Sequence, residues 1–186
     1  MRIAARYWLL VLWVLWALPF LLRRARSTGG RRPSKTAPVA ILGIILQSAA
    51  YPIVFMTRDF AAHPLDWWHM LASLVLGFVS LFLIWSAIPA LGKEWRLQAG
   101  VYQDHELVQS GPYRFVRHAI YASMLALLLA VGVIVAPPGR VAIAVVLMIA
   151  GTEIRVHAEE RLLAERFGQE FKDYKTRVPA YIPFVR

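Results

Sequence analysis

Five apolar runs, each near the length a helix needs to cross a bilayer (about 20 residues), dominate this chain. They read as roughly Ala4–Leu22, Ala37–Met56, Trp67–Leu91 and Ile120–Ala136, with a fifth starting near Val141. The fifth is purely apolar only to Gly151 and is expected to continue as a helix beyond the membrane, through Arg155 to Phe167. Helices rather than strands follow from run length and from the need to satisfy every backbone group within the segment. Arg6 lies near the end of the first run, where it can snorkel. That run reads as a retained span rather than a signal peptide, because Leu21-Leu22 leads into Arg23-Arg24 and not into a small-residue cleavage site. Gln47 and Pro52 interrupt the second run.

The expected fold is therefore all-α: a polytopic membrane protein with about five transmembrane helices and a cytoplasmic C-terminal amphipathic helix. Hydrophobic residues make up 59% of the 186, too many for an ordinary soluble domain. The net charge of +10 points to anionic lipid rather than nucleic acid, since basic residues in such a chain flank spans. There is no cysteine, which excludes disulfides, thiolate chemistry and Cys-based metal sites. Of the 21 Lys and Arg, 17 fall in three segments on one side of the membrane: 23–35, 92–118 and the tail from Arg155. The excess assigns those segments to the cytoplasm and the N-terminus to the outside. The stretch Arg23 to Pro38 reads as a flexible loop on the headgroups, 57–66 as a short external turn, and Pro137-Pro138-Gly139 as the tight turn of a helical hairpin. In the tail, Leu162, Leu163, Phe167, Phe171 and Tyr174 recur at helical spacing, interrupted or capped near Gly168. The proline-rich Val178–Phe184 reads as an extended strap.

Two polar knots lie at the same end of that hairpin. The first is Gly111-Pro-Tyr-Arg-Phe-Val-Arg-His-Ala-Ile-Tyr121, just before the fourth run; the second is Arg155-Val-His-Ala-Glu-Glu160, after the fifth. His118 and Tyr121, three apart, share a helix face. An interfacial belt of Tyr and Arg would account for such residues, although the Gly111-Pro112 turn beside them favours a pocket wall. Arg155 and Glu159 form either an intrahelical ion pair or part of a site. Arg before Glu is the weaker order for a pair, and Glu159-Glu160 sets like charges side by side, which a ligand carrying both charges would relieve. No metal site is expected: His105 lacks a second ligand at proper spacing and His63 and His69 fall on the opposite side, which leaves His157 as the one histidine still open to such a role. Neither a dinucleotide glycine motif, a phosphate-binding loop nor a nucleophile elbow is present.

From about Leu91 onward the chain resembles the isoprenylcysteine carboxyl methyltransferase family of integral membrane enzymes. The resemblance rests on His105-Glu-Leu-Val108, Ser110-Gly-Pro-Tyr113, Arg117-His-Ala-Ile-Tyr121, Arg155, Glu159-Glu160, Phe167-Gly168, Tyr174 and Arg177-Val-Pro179. It divides the chain into residues 1–90, three spans with a basic loop, and 91–186, the catalytic half. It implies S-adenosylmethionine as methyl donor and a prenylated or lipid-like acceptor reached from the bilayer. By position, the donor contacts would include Gln98, His105, Glu106, Leu107, Val108, Tyr113, His118, Ala119, Ile120, Tyr121 and Glu159. Arg155 would take the catalytic position near the substrate carboxyl. Ala119 stands where the family usually has Pro, and Ser123 where it often has Gly. Phospholipid amine methylation, a nicotinamide-dependent reductase and a non-enzymatic lipid- or partner-binding role remain as other readings of the same residues.

Overall fold

The computed structural model describes residues 1–26, 35–56, 65–95, 100–101 and 106–181. Among the described residues six α-helices form: α1 (Arg2–Arg26), α2 (Ala40–Phe55), α3 (Trp67–Leu91), α4 (Ala119–Val135), α5 (Pro138–Phe167) and α6 (Gln169–Arg177). Each expected span has its helix, with ends moved by local chemistry. α2 starts at Ala40 rather than Ala37, after Pro38. α5 starts at Pro138, because a proline at the first helical position has no hydrogen bond to lose. The Pro-Pro-Gly turn is thus partly the first turn of α5. Three helices (α1 as far as Arg23, α3 and α5) are long and apolar enough to cross a membrane, while α2 and α4 are apolar but only 16 and 17 residues long. One departure from an all-helical chain is a two-residue antiparallel pair, β1 (Lys35–Thr36) with β2 (Gly100–Val101), which ties the basic segment to the long loop.

α4 is the central helix. Leu127, Leu128, Val131, Ile134 and Val135 are buried, and the core continues through Leu12 of α1, Val54 of α2 and Met148 of α5. α3 packs along α4, and α2 along α5. The outward residues Leu10, Val14, Phe78, Phe82 and Val146 are exposed large hydrophobics, as lipid-facing positions require. Polar side chains link the helices where apolar burial gives little drive in lipid. Trp8 Nε1 donates to Ser73 Oγ at 3.0 Å, and Ser73 Oγ donates to the Ala130 carbonyl at 2.7 Å. Ser123, the departure from Gly, receives Trp16 Nε1 at 2.8 Å and donates to the Ser80 carbonyl at 2.9 Å, so it clasps α1, α3 and α4. Ala119, the departure from Pro, is the first residue of α4 and fully buried, a place where either residue fits.

The α2–α5 crossing is close because both helices are bare there. A Cβ on Gly151 would lie 2.7 Å from the Gly43 carbonyl oxygen and 2.9 Å from the Gln47 backbone nitrogen. Gly151→Ala is therefore expected to lower stability by about 1–3 kcal/mol through overpacking. Thermal unfolding in detergent, with Gly139→Ala as the control because a Cβ there meets nothing within 4 Å, measures it. Equal melting of both variants would refute the tight crossing.

Candidate active site

The site forms where the N-terminal end of α4 meets the polar end of α5. Gly111, at φ +59°, bends the chain into a 3₁₀ turn over Gly111–Arg114, which buries Tyr113. The chain then runs to His118, the N-cap of α4. Backbone donors just before that helix are satisfied by the strap: Arg117 N donates to the Pro179 carbonyl at 2.9 Å, and His118 N to the Ala180 carbonyl at 2.7 Å. α5 runs unbroken past Gly151 and delivers Thr152, Arg155, Glu159 and Glu160 to the same place. It ends at Gly168, whose φ of +54° turns the chain into α6. The amphipathic segment is thus two helices joined at that glycine, and Phe171, Tyr174 and Val178 pack under Leu107 and Phe167.

The two polar knots are bonded to each other. The Tyr121 hydroxyl donates to Glu159 Oε1. His118 lies between the paired glutamates, with Nδ1 3.5 Å from Glu159 Oε2 and Nε2 3.4 Å from Glu160 Oε1. Its ring stacks on Tyr121 at 5.6 Å between centroids. The Arg155 guanidinium lies 4.8 Å over the Tyr121 ring, and its Nη2 is 3.8 Å from Glu159 Oε1. Glu160 is the hub behind them. Arg117 Nη2 donates to its Oε1 at 2.7 Å and Lys175 Nζ to its Oε2 at 2.6 Å. The Arg117–Glu160 pair is buried on both sides, and Arg117 Nη1 also donates to the Lys175 and Val178 carbonyls. Extra hydrogen bonds of this kind are what make a buried ion pair tolerable. Burial works against a charge on His118, but the hydrogen bonds to Glu159 and Glu160 outweigh it and raise its pKa above the ordinary value.

Tyr113 stands out in this neighbourhood. Its backbone carbonyl accepts from the Tyr174 hydroxyl at 2.6 Å, yet its own hydroxyl is buried without a partner among the described residues. Burial, and then the nearby charge of Glu159, push that phenol's pKa well up. A buried hydroxyl lacking a partner is costly unless something else meets it.

Of the other residues singled out in the sequence, Ala119 is buried, Ile120 and Val108 pack on the Tyr113 cluster, and Leu107 packs on Phe171 and Tyr174. Glu106 is not brought in: its side chain is 72% exposed and pairs with Lys93. Its local sequence neighbours are apolar anchors, whereas the charged side chain favours water. Gln98 and His105 lie outside the described residues, as does His63. Among the described residues no group of three or more His, Asp or Glu is placed to hold a metal. Four participants were not singled out as site residues: Gln47, Lys175, Glu160 as the hub, and Tyr181, whose hydroxyl donates to Glu153 Oε1 at 2.6 Å. Gln47 had a sequence signal as a polar side chain inside an apolar run, and Glu160 as one of two adjacent glutamates in the second knot.

A sequence model of the isoprenylcysteine carboxyl methyltransferase family matches residues 70–165, which span both knots. The chain is also 30% identical over 155 residues to protein-S-isoprenylcysteine O-methyltransferase B of Arabidopsis thaliana, covering 82% of this chain and 76% of that relative. The chain belongs to the isoprenylcysteine carboxyl methyltransferase family. The cobalt-zinc-cadmium resistance protein CzcN of Cupriavidus metallidurans is 30% identical over 109 residues, which is 56% of this chain and 49% of that protein. Among solved structures, the eukaryotic intramembrane Ras methyltransferase of this family superposes with a TM-score of 0.62 at 20% identity. The match covers 90% of this chain and 61% of the solved one, so the chain shares that fold while spanning less than two thirds of its length. The fold and the family are those the C-terminal motifs implied.

Proposed function

We propose that this chain transfers a methyl group from S-adenosylmethionine to the carboxylate of an isoprenylcysteine or similar lipid-like acceptor, at the cytoplasmic face of the membrane. One observation carries the reading: the bonded cluster of His118, Tyr121, Arg155 and Glu159 joins the two knots, and beside it the Tyr113 hydroxyl is buried without a partner among the described residues. The residues fit the donor. Glu159 suits its ammonium or ribose hydroxyls, Tyr113 has a buried hydroxyl to offer, and an aromatic face such as that of Tyr113 suits a sulfonium. Leu107, Val108 and the His118–Tyr121 turn supply the wall, and Gln98 and His105 join by family position. The donor supplies an electrophilic methyl group that a nucleophile takes by direct displacement.

An acceptor carboxylate, with a pKa of roughly 3.5, is ionised at neutral pH, so the protein needs no base. Its task is alignment and exclusion of water. Arg155 holds the carboxylate through charge-assisted hydrogen bonds. The charge balance agrees: Arg117, Arg155 and Lys175 outnumber Glu159 and Glu160 in the bonded cluster. Amine methylation needs a base instead. Both ring nitrogens of His118 already face Glu159 and Glu160, and the Glu160 oxygens are engaged by Arg117, His118 and Lys175.

Purified protein incubated with methyl-labelled S-adenosylmethionine and a panel of prenylcysteine, fatty-acid and aminophospholipid acceptors tests the proposal. The expected product is a methyl ester that releases methanol in mild base. A base-stable N-methyl product, or no transfer to any carboxylate, would reject it.

A further inference from the structure

The second apolar run contributes one side chain to this site. Gln47 is 1% exposed, inside α2. Its Oε1 accepts from Arg155 Nη1 at 3.0 Å, and its Nε2 donates to Thr152 Oγ1 at 2.9 Å. That orientation of the amide is dictated by its partners, since the reversed amide would turn two donors towards a guanidinium that has donors only. The close crossing makes the contact possible. A Cβ on Gly43 would lie 2.5 Å from Arg155 Cγ, so the bare backbone of α2 gives the arginine stem its path to Gln47. Residues 70–165, matched by the family, do not include α2.

We propose that Gln47 is a positioning residue that aims the Arg155 guanidinium at the acceptor carboxylate; this rests on the reading of Arg155 as the carboxylate-binding residue. Glu159 and Gln47 both reach that guanidinium. Glu159, four residues along the same helix, is charged and lies 3.8 Å from Nη2. Gln47 is neutral and closer. A neutral acceptor fixes the direction of the fork while leaving its positive charge to attract an anion. A carboxylate at the same position would fix the direction and cancel the charge. Thr152 in turn holds the Gln47 amide, so the aim is set by a chain of three buried side chains across the α2–α5 crossing.

Two variants separate aim from mere packing. Gln47→Leu fills the space without an acceptor, and Gln47→Glu keeps an acceptor but brings a charge. In the methyl-transfer assay both are expected to raise the acceptor KM about tenfold or more, with S-adenosylmethionine affinity within twofold of wild type. Gln47→Glu is expected to melt no lower than wild type, which a packing role does not predict for a variant with impaired acceptor binding. A second readout does not depend on turnover. In arginine-labelled protein, rotation about the Arg155 Nε–Cζ bond, followed by nitrogen NMR with Arg155→Lys for assignment, should be slow in wild type and fast in Gln47→Leu. Unchanged KM with unchanged rotation overturns the proposal, as does a parallel fall in melting temperature, donor affinity and acceptor affinity in both variants. If wild type esterifies no carboxylate but Gln47→Leu still frees the guanidinium, Gln47 does orient Arg155 and the acceptor assignment is what fails.

Discussion

Arg155→Ala is expected to lower kcat/KM by about a thousandfold while S-adenosylmethionine affinity stays within a few fold of wild type. The side chain is 8% exposed, and the groups it reaches include Gln47, the face of Tyr121 and Glu159. Glu159 does not depend on it for position, since its closest bond is from the Tyr121 hydroxyl and His118 stands on its other oxygen. Removing the arginine therefore takes away the acceptor's counter-charge and leaves the donor side assembled. Arg155→Lys separates charge from shape. A lysine ammonium keeps the charge but lacks the planar fork that matches a carboxylate, so partial activity with a raised acceptor KM is expected. Steady-state rates against acceptor concentration, paired with calorimetric titration of the donor, measure both. Wild-type turnover in Arg155→Ala would remove the residue from the reaction, and equal loss of donor binding would move it to the other half of the site.

The sequence made the helices legible but not their registers. Run length and apolarity located all five long helices, because a segment that must satisfy its own backbone in lipid has few alternatives. Their ends shifted by a few residues where a local choice decided, as at Pro38 and Pro138. The convergence of the two knots was also legible, since a hairpin with both polar clusters at one end brings them together. What pairs with what was not. Arg155 and Glu159, open in the sequence between an ion pair and part of a site, do lie within ion-pair reach at 3.8 Å, yet Arg155 also donates to Gln47 at 3.0 Å, a partner 108 residues away. The nearest bond to Glu159 comes from Tyr121 instead. Such choices depend on how closely two helices approach, here set by Gly43 and Gly151, and helical periodicity carries no information about a distant partner. The Ser123 clasp has the same origin: read alone it weakens a motif, and beside Trp16 and Ser80 it ties three helices together.

The adjacent glutamates are expected to separate under the same substitution, one affecting binding and the other stability. Glu159 is the more open of the two, its side chain 24% exposed against 7% for Glu160, and it faces Tyr121, His118 and Arg155. Glu159→Gln keeps the shape and an acceptor but removes the charge that suits an ammonium or ribose. Donor affinity should fall about a hundredfold, in line with the loss of a charge-assisted hydrogen bond in a dry site, with only a modest change in melting temperature. Glu160 faces Arg117, which is buried with it, and Lys175. Glu160→Ala leaves the Arg117 charge buried without its carboxylate, an arrangement that costs about 3–5 kcal/mol. It also loosens α6, because Lys175 is the link from that helix to the hub. Melting temperature should therefore fall sharply in Glu160→Ala, while any donor binding by the remaining folded fraction keeps near-normal affinity. Calorimetric titration and thermal unfolding of both variants in one detergent decide the matter. A Glu159→Gln variant that binds the donor as tightly as wild type removes that residue from the donor site, and a Glu160→Ala variant that melts like wild type refutes its role as the structural hub.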